Sequence, residues 1–275
     1  MADKRVTPAR PDLAAAHLKG KVEAARFVEG EKFSLCVGRA ALRTAPSDDA
    51  TQGSELLFGE SFTVYERKTG WAWGQAARDH YVGYVREASL GASLAPEMRV
   101  TALTTPVFSA ADIKSALRGL LPLNAEIPTL SRQGDFFAIA PQLFVHFRHL
   151  APLHEFATDF VSVAERFIGA PYVWGGKSVA GLDCSGLIQT SLQAAGISAP
   201  RDTDMMEKAL GLPVSRAEAT RGDLVFWKGH MGVMRDSKTL LHANAFHMEV
   251  FAEPLDQAIA RIEKSAGPVT SIKRL

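Results

Sequence analysis

The sequence predicts an α+β domain at the C-terminal end of the chain, preceded by two small β-barrels. Two helix-like segments followed by four apolar strand-like segments occupy the last part of the chain, an order typical of helices packed beside an antiparallel sheet. Upstream, short β-type segments recur between turn residues, as they do in small barrels. Hydrophobic residues make up 47% of the 275 residues, which is enough apolar material for a globular chain.

We predict four segments in chain order. Residues 1–29 form an N-terminal arm and a helix, because AAAHLKGKVEAARF follows two prolines and is rich in helix-forming residues. Residues 30–92 form the first barrel and residues 95–152 the second, each from short strands with turns between them. Residues 153–275 form the α+β domain.

Composition and charge exclude some classes of function. The 31 basic and 30 acidic residues nearly cancel, so we expect neither a nucleic acid nor an anionic membrane as partner. No apolar run approaches the roughly 20 residues that span a bilayer, and the first residues do not resemble a signal peptide. We therefore expect a cytoplasmic protein, whose Cys36 and Cys184 remain free thiols in a reducing compartment. The sequence leaves the oligomeric state open.

Cys184 stands where a glycine-rich loop meets the first residue of an apolar-periodic helix. The positive end of the helix dipole favours the thiolate, which is the attacking form of cysteine. Backbone N–H groups of the first helical turn could also bind an oxyanion. A buried, inert thiol is the alternative, and this feature alone leaves both interpretations open.

A thiol nucleophile needs a base, and two histidines follow Cys184 in the chain. His230 begins one strand and His242 lies on the next, with a turn predicted near Asp236 between them. A hairpin centred on that turn places the two histidines opposite one another, as a base and its orienting partner require. Either histidine alone is more simply explained as structural, but both together, with Cys184 upstream, favour catalysis.

The motifs GLDCSGL and GDLVFW, then HMGV and a polar residue on the following strand, resemble those of the NlpC/P60 cysteine peptidases. This resemblance covers about residues 155–275 and implies a papain-like NlpC/P60 catalytic domain. It implies an acyl-enzyme mechanism on cell-wall peptides, with Cys184 as nucleophile, His230 as general base and His242 as orienting residue. Tyr172 matches the family tyrosine whose hydroxyl helps to bind the oxyanion.

The segments SELLFGE, GWAWGQ and DHYVGYV resemble a bacterial SH3 domain. Two small SH3-like β-barrels before an NlpC/P60 domain resemble the γ-D-glutamyl-L-diamino acid endopeptidases. By this resemblance, Asp183 and Ser185 help to bind the free amine of an N-terminal L-Ala. Arg201 and Asp202 match a downstream pair that contacts substrate.

The same resemblance implies that the first SH3 module supplies an acid and an aromatic residue to the substrate site. Glu55 and Tyr81 are the candidates, although Glu60 and Tyr84 fit nearly as well. For each of them, a solvated or packed structural role is the alternative.

The expected function is hydrolysis of the γ-D-glutamyl–diamino acid bond in released murein peptides, as part of cell-wall peptide recycling. A non-catalytic wall-peptide-binding module and a thiol amidase or acyltransferase are the alternatives. We expect no cofactor, because the sequence has no metal-ligand spacing, phosphate loop or dinucleotide fingerprint. Whether the third peptide residue is diaminopimelate or Lys, and which stem length is accepted, stay open.

Overall fold

The computed structural model describes residues 3–275, which divide between Leu153 and His154 into two compact units. The first unit is built from strands and short 3-10 turns, and the second from helices and strands. The predicted α+β class is confirmed. Within residues 3–275, no helix is long and apolar enough to cross a bilayer.

The first part of the N-terminal unit is one seven-stranded sheet with the order β5-β4-β8-β7-β6-β3-β9, preceded by a separate two-stranded pair, β1 and β2. Alternate strand residues face a common core that includes Leu42, Phe62 and Val85. The strands are Ala14–Ala15 (β1), Phe27–Val28 (β2), Glu31–Leu35 (β3), Arg39–Arg43 (β4), Gln52–Leu57 (β5), Ser61–Lys68 (β6), Trp71–Ala76 (β7), Val82–Arg86 (β8) and Leu90–Gly91 (β9).

The rest of the N-terminal unit has a core of its own, which includes Val100, Leu121 and Val145. Its strands form a three-stranded sheet, β13-β10-β17, and a five-stranded sheet, β12-β11-β16-β15-β14. They are Met98–Val100 (β10), Thr104–Phe108 (β11), Leu117–Pro122 (β12), Glu126–Ile127 (β13), Ser131–Gln133 (β14), Phe136–Ala140 (β15), Leu143–His146 (β16) and Leu150–Pro152 (β17). That this segment is a second SH3 barrel stays a prediction.

The helix predicted within residues 1–29 is wrong. The described part of this segment has only a 3-10 turn at Ala16–Leu18 beside the short strands β1 and β2, which pair in parallel. Three consecutive residues, 13–15, are fully buried, and an extended segment can bury neighbours in this way whereas a helix buries one face. Long-range packing therefore overrides the helix propensity of the alanines.

The C-terminal unit combines four helices with a six-stranded sheet of order β20-β25-β21-β22-β23-β24 and a short hairpin, β18-β19. The helices are Phe160–Glu165 (α1), Cys184–Ala194 (α2), Thr203–Ala209 (α3) and Leu255–Ala266 (α4). The strands are Lys177–Ser178 (β18), Gly181–Leu182 (β19), Leu212–Pro213 (β20), Leu224–Trp227 (β21), His230–Met234 (β22), Thr239–Asn244 (β23), Glu249–Pro254 (β24) and Ser271–Arg274 (β25).

Helices α2 and α4 both pack against the six-stranded sheet. Helix α4 is amphipathic and buries Leu255, Ala258 and Ile262 against residues of β21 to β23, including Trp227. Helix α2 is buried along almost its whole length and contacts β22 and β23. The first residue of α2 thus lies beside the strands that carry the two histidines.

Candidate active site

Cys184 is the first residue of α2, as the sequence predicts. The helix begins here because the Asp183 carboxylate accepts a hydrogen bond from the backbone N–H of Gly186 at 2.6 Å, as an N-cap does. The glycine-rich loop packs on this first turn so closely that a Cβ on Gly186 would lie 2.1 Å from the carbonyl oxygen of Gly176. Only glycine permits this approach, which fixes the loop against the helix start.

The thiol of Cys184 is buried, with 6% of the residue exposed. Its sulfur lies 3.8 Å from the hydroxyl oxygen of Thr203 and accepts a hydrogen bond from the backbone N–H of Met231, the residue after His230. In the part of the chain that the structure describes, these are the hydrogen-bond partners of the sulfur.

Burial, and next the charge of Asp183, raise the pKa of the Cys184 thiol to about 11. The hydrogen bonds from Thr203 and Met231 act in the opposite direction but are outweighed. Desolvation of a charged sulfur therefore acts against the thiolate that the start of the helix favours.

The two histidines form a hydrogen-bonded pair. Nε2 of His230 lies 2.8 Å from Nδ1 of His242. The strand register differs from the prediction, because Val233 pairs with Leu241 and the hairpin is centred one residue later than Asp236. His242 consequently lies across from Gly232, and the imidazole of His230 reaches it diagonally. A Cβ on Gly232 would lie 3.0 Å from the Cβ of His242, so the missing side chain leaves room for this contact.

His242 is fully buried and continues the chain of hydrogen bonds inward. Its Nε2 lies 2.8 Å from Oε1 of Glu253 on β24. Glu253, 6% exposed, also accepts a hydrogen bond at 2.6 Å from Nη1 of Arg261 on α4. Sequence reasoning missed Glu253 and Arg261. The sequence does show an acid within the apolar strand MEVFAE. When β23 and β24 pair, His242 lies opposite Phe251, and Glu253 is therefore its diagonal neighbour on the same face.

Burial also controls the charge of the two rings. Desolvation, and then the neighbouring His242, lower the pKa of His230 to about 3. Desolvation lowers the pKa of His242 as well, although the carboxylate of Glu253 acts to raise it. Both imidazoles are therefore neutral near pH 7, so His230 has a lone pair with which to accept a proton.

Tyr172 lies beside the nucleophile. Burial, and next the proximity of Cys184 and Asp183, raise the pKa of its phenol, so the hydroxyl stays protonated and able to donate a hydrogen bond. Its backbone N–H donates to the carbonyl oxygen of Met248 at 2.8 Å, in the turn between β23 and β24. This position suits the predicted oxyanion role.

The predicted amine-binding residues Asp183 and Ser185 lie in a buried network with Arg201. The Arg201 guanidinium, only 1% exposed, donates to both carboxylate oxygens of Asp183, at 2.7 and 3.0 Å, and to Oγ of Ser185 at 2.8 Å. Asp183 also accepts from the backbone of Gly175 at 2.8 Å. The same carboxylate accepts the N-cap bond and a hydrogen bond from the hydroxyl of Ser185. Together these hydrogen bonds occupy its lone pairs. In this structure the three side chains support the loop and the helix start.

The remaining predicted residues differ in exposure. Asp202 is half-buried at the start of α3. Glu55 is buried and pairs with Arg39 at 2.6 Å, while Tyr81 packs in the core of the first sheet.

The two alternative SH3 candidates also have partners within the N-terminal unit. Glu60 is buried and pairs with Arg78 at 2.8 Å. Tyr84 is half-buried and accepts a hydrogen bond from Arg10 at 2.8 Å.

Comparison with known families agrees with this architecture. Residues 169–262 match the NlpC/P60 family, and residues 42–90 match the bacterial dipeptidyl-peptidase SH3 domain. The chain therefore carries an NlpC/P60 peptidase-family domain preceded by a bacterial SH3 domain.

Curated relatives match part of the chain. The dipeptidyl-peptidase 6 of Lysinibacillus sphaericus is 34% identical over 112 residues, which are 40% of this chain and 40% of that protein. The gamma-D-glutamyl-L-lysine dipeptidyl-peptidase of Bacillus subtilis (strain 168) is 30% identical over 132 residues, 42% of this chain and 44% of that protein. The matched region thus spans less than half the length of these relatives.

A solved structure of an NlpC/P60 family protein from Bacillus cereus shares the fold of most of the chain. It superposes with a TM-score of 0.73 at 20% sequence identity, covering 89% of this chain and 99% of the other. This similarity shows the fold.

Proposed function

We propose that this protein is a cysteine endopeptidase that hydrolyses the γ-D-glutamyl–diamino acid bond of murein peptides carrying a free N-terminal L-Ala. One observation carries the catalytic part of the proposal. The thiol of Cys184 lies against the start of β22, whose first residue, His230, is hydrogen-bonded to the buried His242. This is the nucleophile, base and orienting group of a thiol peptidase.

In the proposed reaction, Nδ1 of His230 accepts the thiol proton of Cys184 as the sulfur attacks the γ-carbonyl carbon of D-Glu. Because burial raises the pKa of the thiol, formation of the thiolate depends on transfer of its proton to His230. The hydroxyl of Tyr172 and the backbone N–H of Cys184 stabilise the oxyanion. His230 then protonates the leaving amine, and water hydrolyses the thioester.

The substrate class is supported by the relatives. One of them is named for a γ-D-glutamyl-L-lysine bond, and the SH3 profile is that of bacterial dipeptidyl-peptidases. Selectivity for a free amine follows from the resemblance to the diamino acid endopeptidases. Since the carboxylate of Asp183 is already occupied, we propose that Asp183 and Ser185 act on the amine indirectly, by holding the loop that lines the site.

A role in recycling released murein peptides in the cytoplasm is part of the proposal. Both cysteines are free thiols, and Cys36 is exposed, which suits a reducing compartment. The near-zero net charge suits small peptides as partners rather than nucleic acid or an anionic membrane.

The test is digestion of L-Ala-γ-D-Glu-L-Lys and its diaminopimelate counterpart, each beside its N-acetylated form, with products identified by mass spectrometry. We expect release of the free diamino acid from the unblocked peptides alone, and loss of this activity in Cys184→Ser. Equal cleavage of blocked and free peptides would refute amine selectivity. Tight binding without cleavage would favour a peptide-binding module, and transfer of the acyl group to an added amine would favour an acyltransferase.

A further inference from the structure

The hydrogen bonds behind His230 run through three side chains in sequence. Nε2 of His230 meets Nδ1 of His242 at 2.8 Å, and Nε2 of His242 meets Oε1 of Glu253 at 2.8 Å. Arg261 holds the carboxylate of Glu253 through Nη1 at 2.6 Å and through a second, shorter contact from Nη2. These residues come from β22, β23, β24 and α4, so four elements meet along one line.

The state of Glu253 decides where every proton along this line lies. An ionised carboxylate only accepts hydrogen bonds, so Nε2 of His242 must carry a hydrogen. A neutral imidazole has one N–H, and Nδ1 of His242 is then an acceptor. Nε2 of His230 must donate to it, which leaves Nδ1 of His230 with the free lone pair.

The surroundings keep Glu253 ionised. Burial acts to raise the pKa of its carboxyl, but the hydrogen bonds from Arg261 and His242 outweigh burial and hold the pKa at about 2. Arg261 is itself held in place, because its guanidinium lies 4.5 Å from the ring centroid of Phe246.

We propose that Glu253 is a positioning residue that fixes the tautomers of both histidines, so that His230 presents an unprotonated Nδ1 to the thiol of Cys184. Arg261 serves it by keeping the carboxylate charged and oriented. The proposal rests on the proposed thiol mechanism for its consequence in catalysis, but the tautomers themselves exist in the free protein.

The decisive variant is Glu253→Gln, which keeps the shape and introduces an amide N–H that can donate to His242. Donation reverses both tautomers and places a hydrogen on Nδ1 of His230. We expect long-range ¹H–¹⁵N spectra of ¹⁵N-histidine-labelled protein at neutral pH to show Nε2–H rings in the parent and Nδ1–H signals in the variant. We also expect kcat to fall on the order of 10²-fold or more with KM nearly unchanged, as when the wrong tautomer is imposed on a catalytic histidine.

The matched control is Glu263→Gln, an exposed carboxylate on the same helix as Arg261, which should change neither spectrum nor kcat. The amide oxygen of glutamine could still accept from His242, so Glu253→Leu, which has no acceptor, is measured beside it. Nε2–H tautomers that persist unchanged in both rings of both variants would overturn the proposal, even if activity falls. Because the spectra need no substrate, they test the tautomers of the two histidines independently of the proposed peptidase function. An inactive parent protein with switching tautomers would refute the function alone.

Should Glu253→Gln fail to fold, Arg261→Gln provides a second test. Loss of Arg261 raises the pKa of Glu253, and a protonated carboxyl donates to His242. We expect the Nδ1–H tautomers to appear on acidification from pH 7 to 5 in this variant and not in the parent. The other titratable groups facing this site are His230 and His247, and their signals are to be followed in the same spectra. Identical spectra in variant and parent across this range would contradict the proposal.

Discussion

Substitution of Asp183 by asparagine tests whether this residue serves the fold or contacts substrate directly. The change removes the negative charge that pairs with the Arg201 guanidinium, which is 1% exposed, while keeping an oxygen that can cap α2. Removing one partner of a buried ion pair costs about 3–5 kcal/mol. Asp183→Ala also removes the cap, which adds about 1 kcal/mol. Because domains are stable by about 5–15 kcal/mol, we expect a large fall in the urea midpoint of the C-terminal unit.

The measurement is hydrogen-exchange mass spectrometry across a urea series, in which peptides from the two units are read separately. The N-terminal unit serves as the internal control and should keep its midpoint. Asp236→Asn, at an exposed turn of the C-terminal unit, is the matched control variant. An Asp183→Asn protein with an unchanged midpoint and a raised KM would refute this reasoning and favour direct contact with the substrate amine.

Three further predictions follow from the burial of the site. The pKa of the Cys184 thiol is about 11, so its alkylation rate in the free protein should rise roughly tenfold per pH unit from pH 7 to 10. A plateau in this rate at neutral pH would instead show that the thiol is already ionised. The pKa of His230 is about 3 when folded and 6.5 when exposed, so the unfolded chain binds more protons between these values. The unfolding free energy of the C-terminal unit should therefore fall as pH drops from 6.5 to 3, with a smaller slope in His230→Gln; equal slopes would contradict the assignment. Gly232→Ala should destabilise the unit by about 1–3 kcal/mol and lower kcat, because its Cβ would displace His242; an unchanged kcat, measured with the tripeptide, would argue against this packing.

The positions of Cys184 and His230 at the starts of their elements could be predicted because their signals are local. Cys184 stands between a glycine-rich loop and a helix, and His230 follows a glycine at the start of a strand. Such boundaries are visible in a short stretch of sequence. Helices α1 and α2 and strands β21 to β24 could be predicted for the same reason, whereas α3, α4 and the shorter strands of this unit were not predicted.

Properties that depend on distant contacts could not be predicted. The helix expected near the N-terminus is absent because buried pairing with β2 outweighs alanine propensity. The desolvation that raises the pKa of the Cys184 thiol depends on the packing around α2, which the local sequence does not show. Glu253 was not predicted because its contact with His242 depends on the register of β23 with β24. The sequence of a strand does not show which residue of the neighbouring strand an acid will contact.

In the proposed mechanism, the hairpin β23–β24 connects the residues for proton transfer with the residue for oxyanion binding. One strand carries His242, the other carries Glu253, and the turn between them supplies the Met248 carbonyl that holds the backbone of Tyr172. By the proposed mechanism, an insertion in this turn should disturb proton transfer and oxyanion binding together. A change in the length of this turn should therefore alter both steps at once. Changes of substrate preference are expected in other loops instead.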